Sequence, residues 1–406
     1  MFPRLPFDVG DPLPARAAWS RLAEPGDVVA GALVAALGPG EALDWVVRAV
    51  ERPGGAAAEL ARVESGRRVA RALGGEDAGS PAVALMAGVR RWASRLGDLV
   101  PARDLETVDR LGGTLLVPGD PRWPEAMDDL GPAAPFALWV RGQADLARAS
   151  RRAVALVGSR ASTSYGERVA RDLASGLVTR GFTVVSGGAH GIDAEAHRAT
   201  LAGGGRTLVL LASGVDRLYP EANRRVMEAA TADGALVAEV PPGSTPFRQR
   251  FLARNRLIAA LGSATVVVEA ALRSGALSTA NHADRLLRPL GAVPGPVTSM
   301  ASAGCHELMR SGAAVCVTDA AEAAELAGDL TADAAPDRAG DRGPRDGLDP
   351  VARKVLDALP VRRAASLESV ARVAGLGVEE TTAKLGRLLL AGLAEREGAN
   401  WRCTRR

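Results

Sequence analysis

The chain has 406 residues, of which 47% are hydrophobic and 24% charged, and its formal net charge is +3. This length predicts about two to four domains, and the hydrophobic share excludes global disorder. Three cysteines without a CxxC pair indicate a reducing compartment. No apolar run approaches the roughly 18–20 residues that span a bilayer, and the first residues lack a secretory signal. The sequence therefore predicts a cytoplasmic protein without a membrane partner.

The N-terminal part of the chain reads as helical. Residues 1–14 hold four prolines and predict an irregular arm. Residues 15–104 show the apolar spacing of helices, broken by turns such as Leu37-Gly38-Pro39-Gly40. This pattern predicts a small all-helical domain of the helix-hairpin (SAM-like) type. A plain packing or oligomerisation module explains the same pattern, and the sequence leaves both interpretations open.

Residues 105–326 alternate short apolar strands with helical segments. Two strands around Leu115 and Trp139 come first. Seven further strands are predicted at 153–157, 183–185, 207–211, 235–240, 265–269, 291–293 and 314–317. Apolar strands that alternate with helices indicate an α/β fold whose mostly parallel sheet is covered on both faces.

The composition changes again in the C-terminal part. Residues 327–346 are rich in Asp, Gly, Ala and Pro and predict an acidic flexible linker. Residues 347–406 read as three helices and a short basic ribbon, the arrangement of a winged helix-turn-helix domain. The recognition helix would begin at Val378-Glu379-Glu380, and acidic residues there oppose phosphate contact. DNA recognition and protein binding both stay open for this domain.

Three strand-to-helix turns are rich in small residues: Gly158–Arg160, Ser186–His190 and Ser274–Thr279. Small residues let backbone N–H groups approach an anion closely at a helix N-terminus. Ligands of open α/β sheets bind at the carboxyl ends of the strands. The turns therefore predict an anion site at one edge of the sheet, with Arg160 favoured as an anion ligand over a structural ion pair.

Several chemistries are not predicted. The first turn is not G-x-G-x-x-G and no G-x-x-x-x-G-K-[ST] occurs, so neither NAD binding nor ATP hydrolysis is expected, and no cofactor is assigned. His190 and His197 lack companion ligands at metal spacing. Asp193 reads as the N-cap of the helix after the second turn. No nucleophile–base pair appears either, and we expect no enzymatic turnover.

An arginine-dense segment precedes the third turn. Arg248, Arg250, Arg254 and Arg256 alternate with Phe247 and Phe251. Charge beside aromatic rings is typical of single-strand binding. The other interpretation is an amphipathic helix with phenylalanines in the core and solvated arginines, because the two rings share one face at i, i+4. Three turns and this segment exceed the needs of one small phosphate, so an extended anion is expected.

These motifs, in this order, resemble the bacterial DNA-processing protein A (DprA/Smf) family. The resemblance covers about residues 105–325 and rests on Val157–Arg160, Ser186–Asp193, Gly214–Pro220, Arg254–Ile258, Arg273–Ala280 and Val293–Gly295. It implies an extended Rossmann-like core that binds single-stranded DNA, forms a homodimer and loads the RecA recombinase during natural transformation. The helical and winged-helix domains are similar to accessory domains of the family.

The candidate DNA- and phosphate-binding residues combine those of the turns and the arginine segment with those that the resemblance implies: Gly158, Ser159, Arg160, Ser186, Gly187, Gly188, His190, Arg248, Arg250, Arg254, Asn255, Arg256, Ser274, Gly275 and Thr279. Two positions depart from the family pattern. His190 stands where members often carry lysine, and His306 stands where asparagine is usual.

Two other functions are weighed against DNA binding. One is a phosphoribohydrolase of the LOG/lysine-decarboxylase-like superfamily, which shares a related core and takes a catalytic glutamate from a Pro-Gly-Gly-x-Gly-Thr-x-x-Glu loop. Here Pro294-Gly295-Pro296 lacks that loop, and Glu269 lies in a different context. The other is a partner-binding scaffold without nucleic-acid affinity.

Overall fold

The computed structural model describes residues 5–52, 55, 64–73, 81–329, 331–336 and 347–404. The chain divides into two compact units, Met1–Ala335 and Pro336–Arg406. Their boundary falls inside the predicted acidic linker, of which residues 330 and 337–346 lie outside the described residues.

The first unit begins with helices. Those described are α1 (Pro12–Leu22), α2 (Val28–Leu37), α3 (Pro39–Glu51), α4 (Glu64–Ala72), α5 (Pro81–Ala93) and α6 (Pro101–Arg110). The predicted irregular arm is too long, because the Asp11 carboxylate accepts the Leu13 N–H at 2.9 Å and starts α1 at Pro12. Among the described residues no single helix is long and apolar enough to cross a membrane. Taken together, α2 and α3 have the length and composition of a membrane span, but a bend of 115° separates them.

The helical segment packs on the rest of the unit through aromatic rings. The ring centroid of Trp19 lies 5.6 Å from that of Trp92 in α5 and 5.5 Å from that of Phe136, two residues before the second strand of the sheet. In the α2–α3 hairpin, a Cβ on Gly40 would overlap the Val9 carbonyl. The N-terminal segment therefore packs against the first turn of α3, whereas a Cβ on Gly38, in the connecting turn, would meet nothing within 4 Å.

A nine-stranded sheet forms the centre of the first unit. Its strands are β1 (Gly113–Leu116), β2 (Leu138–Gly142), β3 (Ala153–Val157), β4 (Thr183–Ser186), β5 (Thr207–Leu211), β6 (Ala235–Ala238), β7 (Ala264–Val267), β8 (Leu290–Ala292) and β9 (Val315–Cys316). Their order is β1-β2-β6-β5-β4-β3-β7-β8-β9, with β1 and β2 antiparallel at one edge and the others parallel. This confirms the predicted α/β class and mostly parallel sheet.

Helices cover both faces of the sheet. They are α7 (Leu146–Ser150), α8 (Ser164–Thr179), α9 (Ile192–Ala202), α10 (Arg224–Ala230), α11 (Arg248–Leu261), α12 (Gly275–Arg285), α13 (Ala303–Arg310) and α14 (Ala320–Ala327). Apolar residues of α8, α9 and α14 pack on one face, and those of α11 and α12 on the other. Burial from both sides explains why the central strands read as continuous apolar runs.

The order of the strands reverses beside β3. This strand pairs in parallel with β4 on one side and with β7 on the other. The helices that follow β3 and β7 therefore leave on opposite faces and open a crevice at the carboxyl ends of these strands. Such a switch point is the usual ligand position in an open α/β sheet.

The second unit contains α15 (Pro350–Ala358), β10 (Ala365–Ser366), α16 (Leu367–Ala374), α17 (Val378–Leu390), β11 (Ala394–Glu397) and β12 (Asn400–Cys403). The strands form an antiparallel sheet in the order β10-β12-β11. Val355, Leu385 and Trp401 lie in its core. The order of helices and ribbon is the predicted one, and the role of this unit stays a prediction.

The start of the predicted linker is attached to the first unit. Two nitrogens of Arg152 donate to the Asp333 carboxylate at 2.8 and 2.9 Å. Asp333 also accepts the Asp329 N–H at 2.8 Å. The flexible linker was predicted to begin at residue 327. That start is wrong, because these bonds hold the chain as far as Asp333.

Candidate functional site

A pocket of about 420 Å³ lies at the switch point. Its wall comes from the β3–α8 turn, the start of α9, one face of α11, and the β7–α12 loop. The lining residues shared with the sequence-predicted set are Gly158, Ser159, Arg160, Arg254, Asn255, Ser274, Gly275 and Thr279. The structure thus brings together about half of the predicted site, and this volume suits a nucleotide-sized group.

The β3–α8 turn is held by backbone hydrogen bonds. The Ser159 N–H donates to the Glu269 carbonyl at 2.7 Å, and the Ser159 carbonyl accepts the Ile192 N–H at 3.2 Å. A Cβ on Gly158 would lie 2.5 Å from Ile192 Cγ1. Glycine is therefore required here by contact with α9 rather than by the approach of a ligand.

The β4–α9 turn is packed inside the protein. The buried Ser186 hydroxyl donates to the Leu156 carbonyl at 2.6 Å. A Cβ on Gly187 would overlap the Arg254 guanidinium, and one on Gly188, at φ +67°, would lie 2.8 Å from Met227 Cε. The small size of these three residues therefore serves internal packing, and DNA contact by them stays a prediction.

Asp193 was predicted wrongly as an N-cap. It is the second residue of α9, and Gly191 takes the N-cap position. The Asp193 carboxylate instead accepts the N–H groups of Gly187 at 3.2 Å and Ala189 at 3.4 Å. Burial raises the pKa of Asp193, and the Arg254 charge opposes that rise. Its carboxylate therefore shapes the turn and adds a buried acid to the pocket wall.

Arg254 forms the charged back of the pocket. Its side chain is buried, and Nη1 donates to the carbonyls of Gly187, at 2.6 Å, and Leu210. Its Nε has no hydrogen-bond partner among the described residues. Burial lowers the pKa of Arg254 to about 10, opposed by Asp193. The guanidinium therefore stays charged at neutral pH and places positive potential behind the pocket.

Two other predicted arginines have structural partners. Arg256 is buried, with Nη2 2.5 Å from Glu239 and Nε donating to the Ala133 carbonyl at 2.8 Å. Arg250 donates to the Glu24 carboxylate at 2.9 and 3.0 Å. Arg250 holds the helical segment through Glu24, and Arg256 holds the residues before β2 through Ala133. Neither arginine lines the pocket. Protein acceptors occupy both guanidinium groups, which argues for a structural role, and DNA contact by these two arginines stays a prediction.

The free charges of the pocket are Arg160 and Arg273. Both side chains are exposed and line the pocket, and within the described ranges neither makes an ion pair or a hydrogen bond. Arg273 is not among the residues predicted from the sequence, although its position directly before Ser274 was a usable signal. Arg248 and His190 are exposed but do not line the pocket, and DNA contact by them stays a prediction.

Phe251 supplies an aromatic wall between the guanidinium groups. Its ring centroid lies 5.0 Å from Arg160 Cζ and 5.9 Å from Arg254 Cζ. It is only partly buried, and Phe247 is 39% exposed. Neither ring is fully buried, although the alternative interpretation of an amphipathic helix with its phenylalanines in the core requires burial. A ring flanked by two cations suits stacking of a base whose phosphates are held nearby.

The N-terminus of α12 closes the other side of the pocket. The Ser274 hydroxyl accepts the Ala276 N–H at 3.1 Å as the N-cap, and the Gly275 carbonyl accepts from the Asn255 amide at 3.2 Å. A Cβ on Gly275 would meet nothing within 4 Å. Unlike the glycines of the first two turns, Gly275 therefore has open space at a helix N-terminus, where anions bind favourably.

The glutamate of the phosphoribohydrolase interpretation lies apart from the pocket lining. The Glu269 side chain is 2% exposed, and its two oxygens accept the Thr163 N–H at 2.9 Å and the Thr163 hydroxyl at 2.6 Å. These bonds attach the end of β7 to the start of α8. His306, the second departure from the family pattern, contacts the Gly295 carbonyl through Nε2 at 3.1 Å.

Comparisons with known proteins agree with this geometry. The family profile of DNA recombination-mediator protein A matches residues 114–328. The chain is 42% identical to the putative DNA processing protein DprA of Mycobacterium tuberculosis, over 97% of this chain and 95% of that protein. The chain belongs to the DNA recombination-mediator protein A family. Membership in this family gives the chain a role in DNA processing, as a recombination mediator.

Two further relatives support the assignment. The protein Smf of Synechocystis is 32% identical, over 76% of this chain and 84% of that protein. The X-ray structure of DprA from Streptococcus pneumoniae is 31% identical, with a TM-score of 0.51, and the match covers 62% of this chain and 83% of that chain. The DprA/Smf resemblance read from the sequence motifs is thus confirmed.

Proposed function

We propose that the chain binds single-stranded DNA in the switch-point pocket, protects it and delivers it to the RecA recombinase. The observation that carries the proposal is the pair of exposed arginines, Arg160 and Arg273, in the wall of one pocket that also contains the partly exposed Phe251 ring next to Arg160. Uncommitted guanidinium groups can neutralise phosphates, and an accessible ring can stack on a base.

The shape of the pocket favours a single strand over a duplex. The Phe251 ring lies in a concave wall of a cavity of about 420 Å³. A paired and stacked base cannot enter such a cavity, whereas an unstacked base can. Stacking and phosphate contacts are generic to all bases, so little sequence preference is expected.

Delivery to RecA and assembly as a homodimer are part of the same proposal. Membership in a family of recombination mediators supports them. The pocket supports delivery indirectly, because contacts through charge and stacking release a strand more readily than a closed clamp does.

We further propose that the chain carries out no chemical turnover. The Glu269 carboxylate has both oxygens bonded to Thr163 and lies outside the pocket lining, which argues against its use as a catalytic base. Release of free base from AMP should therefore stay at background. Steady release that is abolished by Glu269→Gln in a folded variant would favour the phosphoribohydrolase instead.

The proposal is tested by competition between single- and double-stranded DNA at several salt concentrations. Single-stranded DNA should win, and log K should fall with log salt by about 0.7 per phosphate contact. A second assay follows RecA filament growth on strands coated by single-strand-binding protein, which the chain should accelerate. Equal or better binding of duplex would refute the binding proposal; no acceleration despite tight binding would remove the delivery role.

A further inference from the structure

A second aromatic ring lies beside the pocket wall. Tyr219 follows β5 in the chain, does not line the pocket, and is 53% exposed. Its ring centroid is 6.0 Å from that of Phe251, with the planes at 59°. An exposed tyrosine ring in contact with the wall extends the aromatic surface outwards from the pocket.

The loop that carries Tyr219 is held in place by hydrogen bonds. The Ser213 hydroxyl donates to the Arg217 carbonyl at 2.6 Å, and the Gly214 N–H donates to the Ser244 carbonyl at 3.1 Å. The Asp216 carboxylate accepts the Gly243 N–H at 2.9 Å. Because the ring is already positioned, stacking on it costs little additional ordering.

A cation accompanies this ring. Arg217 lies two residues before Tyr219, its side chain is exposed, and in the described part of the chain it makes no ion pair. Arg217 therefore adds an exposed positive charge to the loop that carries the exposed ring. Such a charge can neutralise a phosphate next to a base that stacks on Tyr219.

The two rings lie close together at the edge of the pocket. Their centroids are 6.0 Å apart, which is less than two rises of about 3.4 Å along a stacked strand. Bases on the two rings would therefore belong to neighbouring nucleotides.

We propose that Tyr219 is a second stacking platform for single-stranded DNA, with Arg217 contacting the adjacent phosphate. The strand then runs along the sheet edge from the pocket between Arg273 and Arg160, past Phe251, to the loop after β5. This inference rests on the proposed function and defines the path of its ligand beyond the pocket.

The test compares thymidine 5′-monophosphate, which fills the pocket alone, with a long oligothymidylate. Tyr219→Ala should weaken binding of the long strand by about 5- to 150-fold, the range for loss of one base–aromatic stack. It should change binding of the mononucleotide much less, because that ligand stacks on Phe251 only. Tyr219→Phe keeps the ring and serves as the matched control, with affinity close to that of the unaltered protein.

A second readout does not depend on a variant. Oligothymidylates that carry 5-iodouracil at single positions should photo-crosslink to Tyr219 when the label lies outside the pocket. Normal long-strand affinity of Tyr219→Ala, or crosslinks that never reach the 213–220 loop, would overturn this inference. If Arg160→Ala still weakened binding in that case, the proposed function would survive; if neither variant mattered, both proposals would fail.

Discussion

His197 makes the stability of the first unit depend on pH in a way that the structure specifies. Its ring is buried, with Nδ1 2.7 Å from the Thr207 hydroxyl oxygen. That hydroxyl donates to the Val184 carbonyl at 2.9 Å, so it accepts from His197 and the neutral ring carries its proton on Nδ1. Nε2 is buried without a partner among the described residues, and a second proton there would be a buried charge.

The pKa of His197 gives the direction and size of the effect. Burial, and then the Arg254 charge, lower this pKa from 6.5 to about 3. Below pH 6.5 the His197 side chain of the unfolded chain binds a proton, whereas in the folded chain the side chain stays neutral down to about pH 3. The contribution of His197 to the free energy of unfolding is therefore fully present above pH 6.5 and declines as the pH falls. Between pH 8 and pH 5 the loss from this one group is about 2 kcal/mol, and its limit is about 5 kcal/mol.

The assay is a double difference of unfolding free energies. Urea unfolding followed by tryptophan fluorescence reports mainly on the first unit, which holds Trp19, Trp92 and Trp139. His197→Asn keeps a donor near Thr207 but cannot titrate, so it should lose about 2 kcal/mol less than the unaltered protein between pH 8 and pH 5. Equal losses would refute the reasoning. His190→Asn is the control, because that imidazole is exposed in the folded chain.

The remaining predictions concern residues that the structure assigns to folding. Gly188→Val should lower the free energy of unfolding by about 2–5 kcal/mol, because the backbone there is left-handed and the new side chain would crowd Met227. The control, Gly204→Ala, lies at φ +68° in open space and should lose only the backbone part of that free energy. Similar losses for both variants in urea melts would contradict the packing argument. Arg256→Ala should cost about 3–5 kcal/mol by leaving Glu239 buried and unpaired, while Arg256→Met with Glu239→Leu recovers most of it. Normal melting of Arg256→Ala with lost DNA binding would return this arginine to the site.

The strands and the location of the site were predictable from the sequence. Predicted strands such as 153–157 and 207–211 match β3 and β5 residue for residue, because strands covered on both faces must be apolar throughout. The switch point then follows from the alternation of strands and helices, since carboxyl ends of parallel strands share one edge. Arg160, Ser274 and Gly275 were placed correctly in the pocket for this reason.

The partners of the arginines were not predictable. No local sequence pattern links Arg250 to Glu24 or Arg256 to Glu239. Only the tertiary fold brings each guanidinium nitrogen within 3.0 Å of its carboxylate oxygen. A run of arginines shows how much charge a segment carries but not which charges are neutralised. A related difficulty affected the glycines, because Gly187 looks the same in sequence whether a ligand or a neighbouring side chain fills the space beside it.

The most direct test of the central claim is the salt dependence of single-strand binding by Arg160→Ala/Arg273→Ala. The matched control is Arg171→Ala/Arg310→Ala, which removes two exposed charges already paired with Glu195 and Glu307 and outside the pocket lining. Loss of two phosphate contacts should reduce the log K against log salt slope by about 1.4 and weaken binding at low salt. The control should keep its slope. An unchanged slope in Arg160→Ala/Arg273→Ala, or an equal change in both double variants, would contradict the assignment of the pocket as the DNA site.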